Sequence, residues 1–385
     1  MLYQLPPVGN PVSVSVTARP ESFLGSFFSP YKARFFTSGT AALAAAICVA
    51  KRLKRTDSPE VIIPAYGCPD LVSAAVFSGV KPVLVDLEPD RPWMHLGDLD
   101  EKINASTVAV VAASLLGIPE RMEQLRGITD RAGVLLIEDS AQSFPVSEGG
   151  EFWKGDLVVL SFGRGKPVSL LGGGGVLYRE QEYEAMFPAS GQDVTSKRNG
   201  SALLPLKIAL YNWMISPWVY WLPQFLPFLH LGETRFHSLE SVGAMDDTRL
   251  ALLPANIAAY RDHKYEIQQA MAEILANIPE AADGIIDLPS ACNISRNQRL
   301  LRYPLLLNES ARSRLCGLLA KSGSGASLMY PAIIPEIPGL EGMFREQGAF
   351  PAAESFADRI LTLPLHGRVS ARDIANIRRA LRSVM

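Results

Sequence analysis

The sequence has few of the residues that build disulfide frameworks or metal centres. Its 385 residues include four cysteines and five histidines. No two cysteines form a C-x-x-C pair, and the histidines do not recur at the spacing of metal ligands. Neither a disulfide scaffold nor a structural zinc site is therefore indicated. We predict that no metal ion takes part in the function.

Clusters of charge are scarce as well. The 37 basic and 39 acidic side chains give a formal net charge of −2, and no block of lysine or arginine is present. The sequence therefore lacks the cluster of basic residues that a nucleic-acid-binding protein uses to contact phosphates, and this class of function is excluded. The first residues, MLYQLPPVGNPVSVSV, lack a basic stretch followed by a continuous apolar run, so no secretory signal is predicted and the cytoplasm is the expected location. Small-molecule chemistry is the favoured class of function.

Short runs rich in valine and isoleucine alternate with helix-favouring segments from about residue 34 to 180. The pattern predicts an α/β fold with a mostly parallel sheet covered by helices on both faces. Ligands of such sheets bind beyond the carboxyl ends of the strands. The predicted strands are 61–64, 81–86, 108–113, 134–139, 157–162 and 175–178, and the predicted helices are 40–53, 71–78, 121–132 and 254–277.

A second, smaller unit is predicted toward the carboxyl terminus. The run 302–307 is strand-like, and 371–384 has a helical apolar pattern. We expect residues 1–250 to form a large domain with an apolar insertion at 203–231. Residues 251–385 are expected to form a linking helix and a small α+β domain.

The segment 208–229 holds no charged residue and contains three of the five tryptophans. It is long enough to span a bilayer, but three prolines interrupt any continuous helix. Three alternatives stay open: an insertion buried in the protein or an oligomer, a broken helix lying on a membrane surface, and a true span.

Lys166 stands between glycines in SFGRGKPVSLLGGGG, directly after a predicted buried strand. Glycines let the backbone approach a ligand closely, and a lysine placed in this way suits Schiff-base chemistry. The glycines could instead cradle a phosphate, but Pro167 stands where a nucleotide-binding P-loop has a hydroxyl residue.

Two further motifs have both a functional and a structural interpretation. Asp139 ends the strand-like run VLLIED, where its carboxylate needs a cationic or hydrogen-bonding partner, and Gln142 follows it. Asp139 could equally cap a helix. In SGTAAL, Ser38 or Thr40 is placed to cap a helix whose first amides attract an anion such as phosphate.

Several motifs occur in the order and spacing of one family. They are SGTAAL, VIIPAY, GVKPVLVDLEPD, IEDSAQ and SFGRGK with its four glycines, followed by YPLLL, SLMYP and FPAAESFADRILTLPLH. The sequence thus resembles the DegT family of sugar aminotransferases, which depend on pyridoxal 5′-phosphate and have the fold type I architecture. The resemblance implies a large cofactor-binding domain with a seven-stranded sheet.

The resemblance also implies roles for individual residues. Lys166 would be the catalytic lysine that binds the cofactor covalently and moves the proton during transfer. Asp139 would pair with the ring nitrogen and Gln142 would contact the ring oxygen. The phosphate would be held by three residues: Gly39, Thr40 and Ser161.

This chain departs from the family pattern at two places. The family has an aromatic residue stacked on the cofactor ring where this chain has Cys68, so either Tyr66 replaces that residue or the thiol packs on the ring. The family's loop from the neighbouring subunit, with an Asn-Tyr-Arg motif, is expected near 232–236, where no asparagine is present.

The function predicted is transfer of an amino group from an amino acid, glutamate being the expected donor, to a keto sugar that is nucleotide-linked. The resemblance implies a homodimer with shared active sites. Two alternatives are kept. One is a pyridoxal phosphate enzyme acting on a hydrophobic or lipid-linked carbonyl compound, with peripheral membrane contact through 208–229. The other is a non-catalytic regulatory protein that binds the cofactor.

Overall fold

The computed structural model describes residues 3–147, 151–188, 203–224, 233–263, 265–277, 284–295 and 298–384. Two sheets organise these residues. The larger has seven strands, in the order β1-β7-β6-β5-β4-β2-β3, and only β7 runs against its neighbours. Its strands are β1 Lys32–Phe36, β2 Glu60–Pro64, β3 Lys81–Val85, β4 Thr107–Ala113, β5 Leu135–Asp139, β6 Leu157–Ser161 and β7 Gly174–Tyr178.

The smaller sheet is antiparallel, with the order β10-β9-β8. Its strands are β8 Ile285–Asp287, β9 Arg302–Leu307 and β10 Ile360–Pro364. The predicted α/β class with a mostly parallel seven-stranded sheet and a small second sheet is confirmed. The division into domains at residue 250 stays a prediction.

Helices cover both sheets. They are α1 Pro20–Phe28, α2 Gly39–Leu53, α3 Asp70–Phe77, α4 Leu96–Lys102, α5 Met122–Ala132, α6 Tyr183–Met186, α7 Leu204–Met214, α8 Trp221–Gln224, α9 Asp247–Asp262, α10 Glu266–Ala276, α11 Leu288–Ala291, α12 Glu309–Ser322, α13 Pro351–Arg359 and α14 Ala371–Val384.

Helix α2 is the central helix of the large sheet. Its sequence GTAALAAAICVAKRL is rich in alanine, a strong helix former, and nine of its residues are buried. Small side chains let the helix lie close to β6 and β7. Gly174 on β7 extends this close approach, because a Cβ there would lie 2.5 Å from the carbonyl oxygen of Ser38. The start of α2 is thereby fixed against the sheet.

The single long helix predicted over 254–277 is wrong. The chain forms two helices there, and α9 ends at Asp262 with His263 in an extended conformation. The buried guanidinium of Arg299 donates hydrogen bonds to the carbonyl oxygens of Tyr260 and His263. The carbonyl of Tyr260 also accepts a hydrogen bond from the amide of His263 (3.3 Å). A cation at the carboxyl end of a helix interacts favourably with the helix dipole, so Arg299 stabilises termination at this point.

The amino-terminal segment, residues 3–17, runs across several parts of the chain. The amide of Leu5 donates to the carbonyl of Gly323 (2.8 Å), and the carbonyl of Pro6 lies 2.8 Å from Nε2 of His366. Farther along, Thr17 donates to the carbonyl of Ala251 (2.9 Å). The segment therefore connects the small-sheet region to the large-sheet region.

The predicted apolar insertion is described only in part, since residues 225–231 lie outside the described ranges. Its first part forms α7, a break at Ser216-Pro217, and then α8. In the described parts of the chain, no helix combines the length and the apolar character needed to cross a bilayer.

Candidate active site

A cavity lies at the carboxyl edge of the large sheet. The sheet brings residues distant in sequence to one edge, because neighbouring parallel strands end there. Seven of the eight predicted site residues line the cavity: Gly39, Thr40, Cys68, Asp139, Gln142, Ser161 and Lys166.

The start of α2 forms one wall of the cavity. Ser38 is the N-cap, and its Oγ accepts a hydrogen bond from the amide of Ala41 (3.0 Å). The amides of Gly39 and Thr40 come before this bond in the helix and have no partner within the helix itself. A Cβ on Gly39 would lie 2.6 Å from Oγ of Ser161. Only glycine therefore permits this approach of the helix start to the end of β6.

Asp139 lies at the end of β5 and is half-buried. One carboxylate oxygen, Oδ1, accepts a hydrogen bond from the amide of Ala141 (3.0 Å). Within the described ranges no donor meets the other oxygen, Oδ2. Burial raises the pKa of Asp139, and the charge of Lys166 opposes this rise. The carboxylate is thus ready to accept a hydrogen bond from a cationic group in the cavity.

Lys166 lies in the loop between β6 and β7. Phe162 donates to the carbonyl of Gly173 (2.9 Å), and Leu170 donates to the carbonyl of Phe162 (2.8 Å), so the loop is closed at its base. A Cβ on Gly165 would lie 3.5 Å from the side chain of Val8, which places the amino-terminal segment against this loop. The lysine is half-buried and lines the cavity.

Gln142 is held at both ends of its side-chain amide. Its Oε1 accepts from the amide of Leu116 (2.9 Å), and its Nε2 donates to the hydroxyl of Tyr330 (3.0 Å). The thiol of Cys68 lies beside the same hydroxyl. Burial raises the pKa of Cys68 to about 12, so its thiol is protonated near neutral pH. This chain of contacts links the cavity to the segment that carries Tyr330.

Tyr66 is the one predicted site residue that does not line the cavity. Its side chain is fully buried, and its hydroxyl donates to the carbonyls of Met329 and Tyr330, the latter at 3.1 Å. Its ring meets that of Phe356 edge-on at 5.0 Å. Of the two residues proposed to contact the cofactor ring, Cys68 therefore faces the cavity and Tyr66 supports the segment around Tyr330.

Sequence reasoning missed Asp70, which also lines the cavity. It is the first residue of α3, two positions after Cys68. An acidic residue in the first turn of a helix is common for reasons of helix stability alone, so nothing in the sequence marked Asp70 as a site residue. In the described part of the chain, no group of three or more potential ligand residues could hold a metal ion.

The residues of the cavity fit pyridoxal phosphate. The amides of Gly39 and Thr40 and the hydroxyl of Ser161 suit a phosphate group, Oδ2 of Asp139 suits a protonated ring nitrogen, and Lys166 supplies an amine. A lysine and an aspartate facing one cavity at the carboxyl edge of this sheet define the class of pyridoxal-phosphate-dependent transferases of fold type I.

The family follows from the sequence comparison. A model of the DegT/DnrJ/EryC1/StrS aminotransferase family matches residues 21–199 and 242–382. The chain belongs to this family. The predicted family, its pyridoxal phosphate cofactor and the prediction that the chain is an aminotransferase are confirmed, whereas the roles of individual site residues stay predictions.

Curated relatives agree with this assignment, and a solved structure shares the fold. The chain is 24% identical over 358 residues to UDP-N-acetyl-3-dehydro-alpha-D-glucosamine 3-aminotransferase of Acidithiobacillus ferrooxidans, covering 90% of this chain and 83% of the relative. It is 24% identical over 360 residues, with the same coverage, to dTDP-4-dehydro-2,3,6-trideoxy-D-glucose 4-aminotransferase of Saccharopolyspora spinosa. Bacillus subtilis NtdA, solved with bound cofactor PMP, superposes with a TM-score of 0.70 at 16% identity, over 96% of this chain and 78% of that chain.

Proposed function

We propose that this aminotransferase transfers an amino group from an amino acid, glutamate, to the keto group of a nucleotide-linked sugar. The proposal rests on one observation: Lys166 and Asp139 line the same cavity, beside the amides at the start of α2. The names of the two curated relatives, which act on UDP- and dTDP-linked keto sugars, support the substrate class.

Pyridoxal phosphate, when bound, supplies the electron sink for the transfer. Lys166 Nζ takes the proton from Cα of the amino acid and returns a proton to the sugar carbon that receives the amine. Asp139 would keep the ring nitrogen protonated through Oδ2. Gly39, Thr40 and Ser161 would hold the phosphate, and Cys68 would present an uncharged thiol to the ring.

Gln142 and Tyr66 position other parts of the site. The amide of Gln142 is fixed by Leu116 and Tyr330, so its remaining N–H has one orientation toward the cavity. Tyr66 holds the backbone at Met329 and Tyr330. These residues order the site without an acid–base step of their own.

The test uses the purified protein loaded with pyridoxal phosphate. We expect its visible absorbance to change on addition of L-glutamate, and borohydride to fix the cofactor on the peptide containing Lys166. Lys166→Ala should lose both the fixed cofactor and turnover with nucleotide-linked keto sugars. Lys154→Ala is the matched control, because Lys154 is exposed and does not line the cavity. A Lys166→Ala protein that transaminates at the normal rate would refute the proposal.

We further propose that the protein works in the cytoplasm as a homodimer with shared active sites, as the family resemblance implies. The expected partner-subunit loop near 232–236 falls in residues 200–241, which the family model does not match. Within it, Arg235 forms an ion pair with Glu233 at 2.9 Å. Mixing a Lys166→Ala variant with an Arg235→Ala variant tests whether the active sites are shared between subunits. Hybrid dimers regain activity only if each active site uses residues of both subunits.

A further inference from the structure

Helix α7 is apolar on both sides, whereas an ordinary surface helix is apolar on one. Leu204 and Ile208 are buried against the protein, and a second apolar stripe faces solvent. Leu203, Leu206, Leu210 and Trp213 follow one another at helical spacing on one face. This outer stripe is exposed: Leu206, Leu210 and Trp213 show 67, 52 and 54% of their surface to solvent. A solvated helix normally presents polar residues on this side. The stripe therefore needs an apolar partner.

The exposed apolar surface continues beyond the end of α7. Trp218 is 65% exposed and Leu222 is 41% exposed. In the described part of the chain, thirteen large apolar side chains are exposed, and six belong to residues 203–222. Apolar side chains scattered singly over a surface need no explanation, but a contiguous group indicates a contact site.

The inner side of this segment is fixed to the rest of the protein. Asn212 exchanges two hydrogen bonds of 2.9 Å with the backbone of Val12, and Gln4 donates to the carbonyl of Pro217 (2.8 Å). The ring of Trp218 meets that of Tyr3 edge-on at 5.1 Å. These contacts fix the inner side of the segment to the protein, so the apolar stripe faces solvent.

The segment lies outside the parts of the chain that the family model matches. The family model matches up to residue 199 and again from residue 242, so the whole of 203–222 falls between the matched parts. None of its residues lines the candidate active-site cavity. The exposed apolar surface is therefore not explained by the transfer reaction.

The charges near the apolar stripe distinguish between two possible partners, a second copy of this chain and a lipid bilayer. Lys207 is exposed on α7, and no acidic residue occurs within 203–222. In a symmetric contact with a second copy, the same patch meets itself, and it offers no carboxylate to pair with Lys207. An anionic lipid surface instead complements the charge of Lys207.

We propose that residues 203–222 form a peripheral membrane-docking surface that binds bilayers containing anionic lipids. The apolar stripe enters the boundary between headgroups and acyl chains, where tryptophan side chains are favoured, and Lys207 contacts lipid phosphate. The helix lies on the bilayer, in keeping with its length of 11 residues, which is too short to span. The proposal is independent of which sugar the enzyme uses.

The test is cosedimentation of the cofactor-loaded protein with vesicles of phosphatidylcholine, with and without phosphatidylglycerol. We expect binding to the vesicles that contain phosphatidylglycerol, a blue shift of tryptophan fluorescence, and weaker binding at high salt. Leu206→Ser/Leu210→Ser should lower the partition coefficient by about tenfold. Val76→Ser/Phe77→Ser is the matched control, because it removes two exposed apolar side chains from α3 and should bind as the wild type does.

Two further measurements keep the proposal testable if the double variant is poorly folded. Lys207→Glu should weaken binding to phosphatidylglycerol vesicles while leaving the solution mass unchanged. Absence of wild-type binding to these vesicles, or equal binding by Leu206→Ser/Leu210→Ser and its control, would overturn the proposal. So would a fall in solution mass for Leu206→Ser/Leu210→Ser, since that result assigns the stripe to a second copy of the chain.

Discussion

The contact between Gly39 and Ser161 yields the sharpest prediction. Replacing Gly39 by alanine puts a Cβ 2.6 Å from both Cβ and Oγ of Ser161 and 3.3 Å from its Cα. Real Cβ contacts are longer, so either the start of α2 or the end of β6 must move. Overpacking of this kind costs about 1–3 kcal/mol. If the whole of this free-energy cost falls on cofactor binding, the affinity for pyridoxal phosphate decreases by about 5- to 150-fold.

The assay is titration of the apoprotein with pyridoxal phosphate, followed by absorbance, together with thermal unfolding of the apoprotein. Gly127→Ala is the control, since Gly127 lies inside α5 with nothing within 4 Å of the added Cβ. Alanine should be neutral or stabilising there by about 0.5–1 kcal/mol. In Gly39→Ala/Ser161→Gly the obstructing side chain is gone, so thermal stability should return while cofactor affinity stays low. A Gly39→Ala protein with normal affinity and normal stability would refute the reasoning.

Three other changes have defined outcomes. Asp139→Asn should retain the cofactor but lower kcat by roughly 10²–10⁴-fold, because an amide cannot stabilise the charge on the ring nitrogen; unchanged single-turnover rates would contradict this role. Tyr330→Phe removes the hydroxyl that accepts from Gln142, and we expect about tenfold lower kcat with unchanged cofactor affinity, measured by steady-state kinetics. Burial lowers the pKa of His366 to about 4, below the unfolded value of about 6.5. Between these two pH values the His366 imidazole is protonated in the unfolded chain but not in the folded one. The free energy of unfolding therefore decreases as pH falls from about 6.5 to 4. The loss is roughly 3 kcal/mol, and His366→Gln should remove it from the measured pH dependence of unfolding.

Six strands of the large sheet were predictable because each is a short, mainly apolar run with polar, proline or glycine residues at its ends. The prediction 134–139 differs from β5 by one residue, and Asp139 stands at the predicted strand end. β1 was missed because its sequence KARFF mixes charged and aromatic residues without a valine or isoleucine run. Its pairing with β7 is a tertiary effect that local pattern does not contain.

The candidate site, too, was predictable only where local sequence motifs determine it. Each motif placed its residue at the end of a strand or the start of a helix, and that was sufficient for Lys166, Asp139 and Gly39. The choice between Tyr66 and Cys68 required the path of the backbone at Met329 and Tyr330, which lies more than 260 residues away in the chain. The end of α9 likewise depended on Arg299, which no pattern within 254–277 could reveal.

The amino-terminal segment has a consequence for the synthesis of the chain. Its residues leave the ribosome long before the residues they contact: Leu5 binds Gly323, Pro6 binds His366, and the Tyr3 hydroxyl donates to Asp373 at 2.8 Å. The sequence separation is 370 residues for the pair Tyr3 and Asp373. The contact of Val8 with the loop that carries Lys166 is therefore secured only after these later partners have been synthesised, so a nascent chain with a finished large sheet is still an unfinished enzyme.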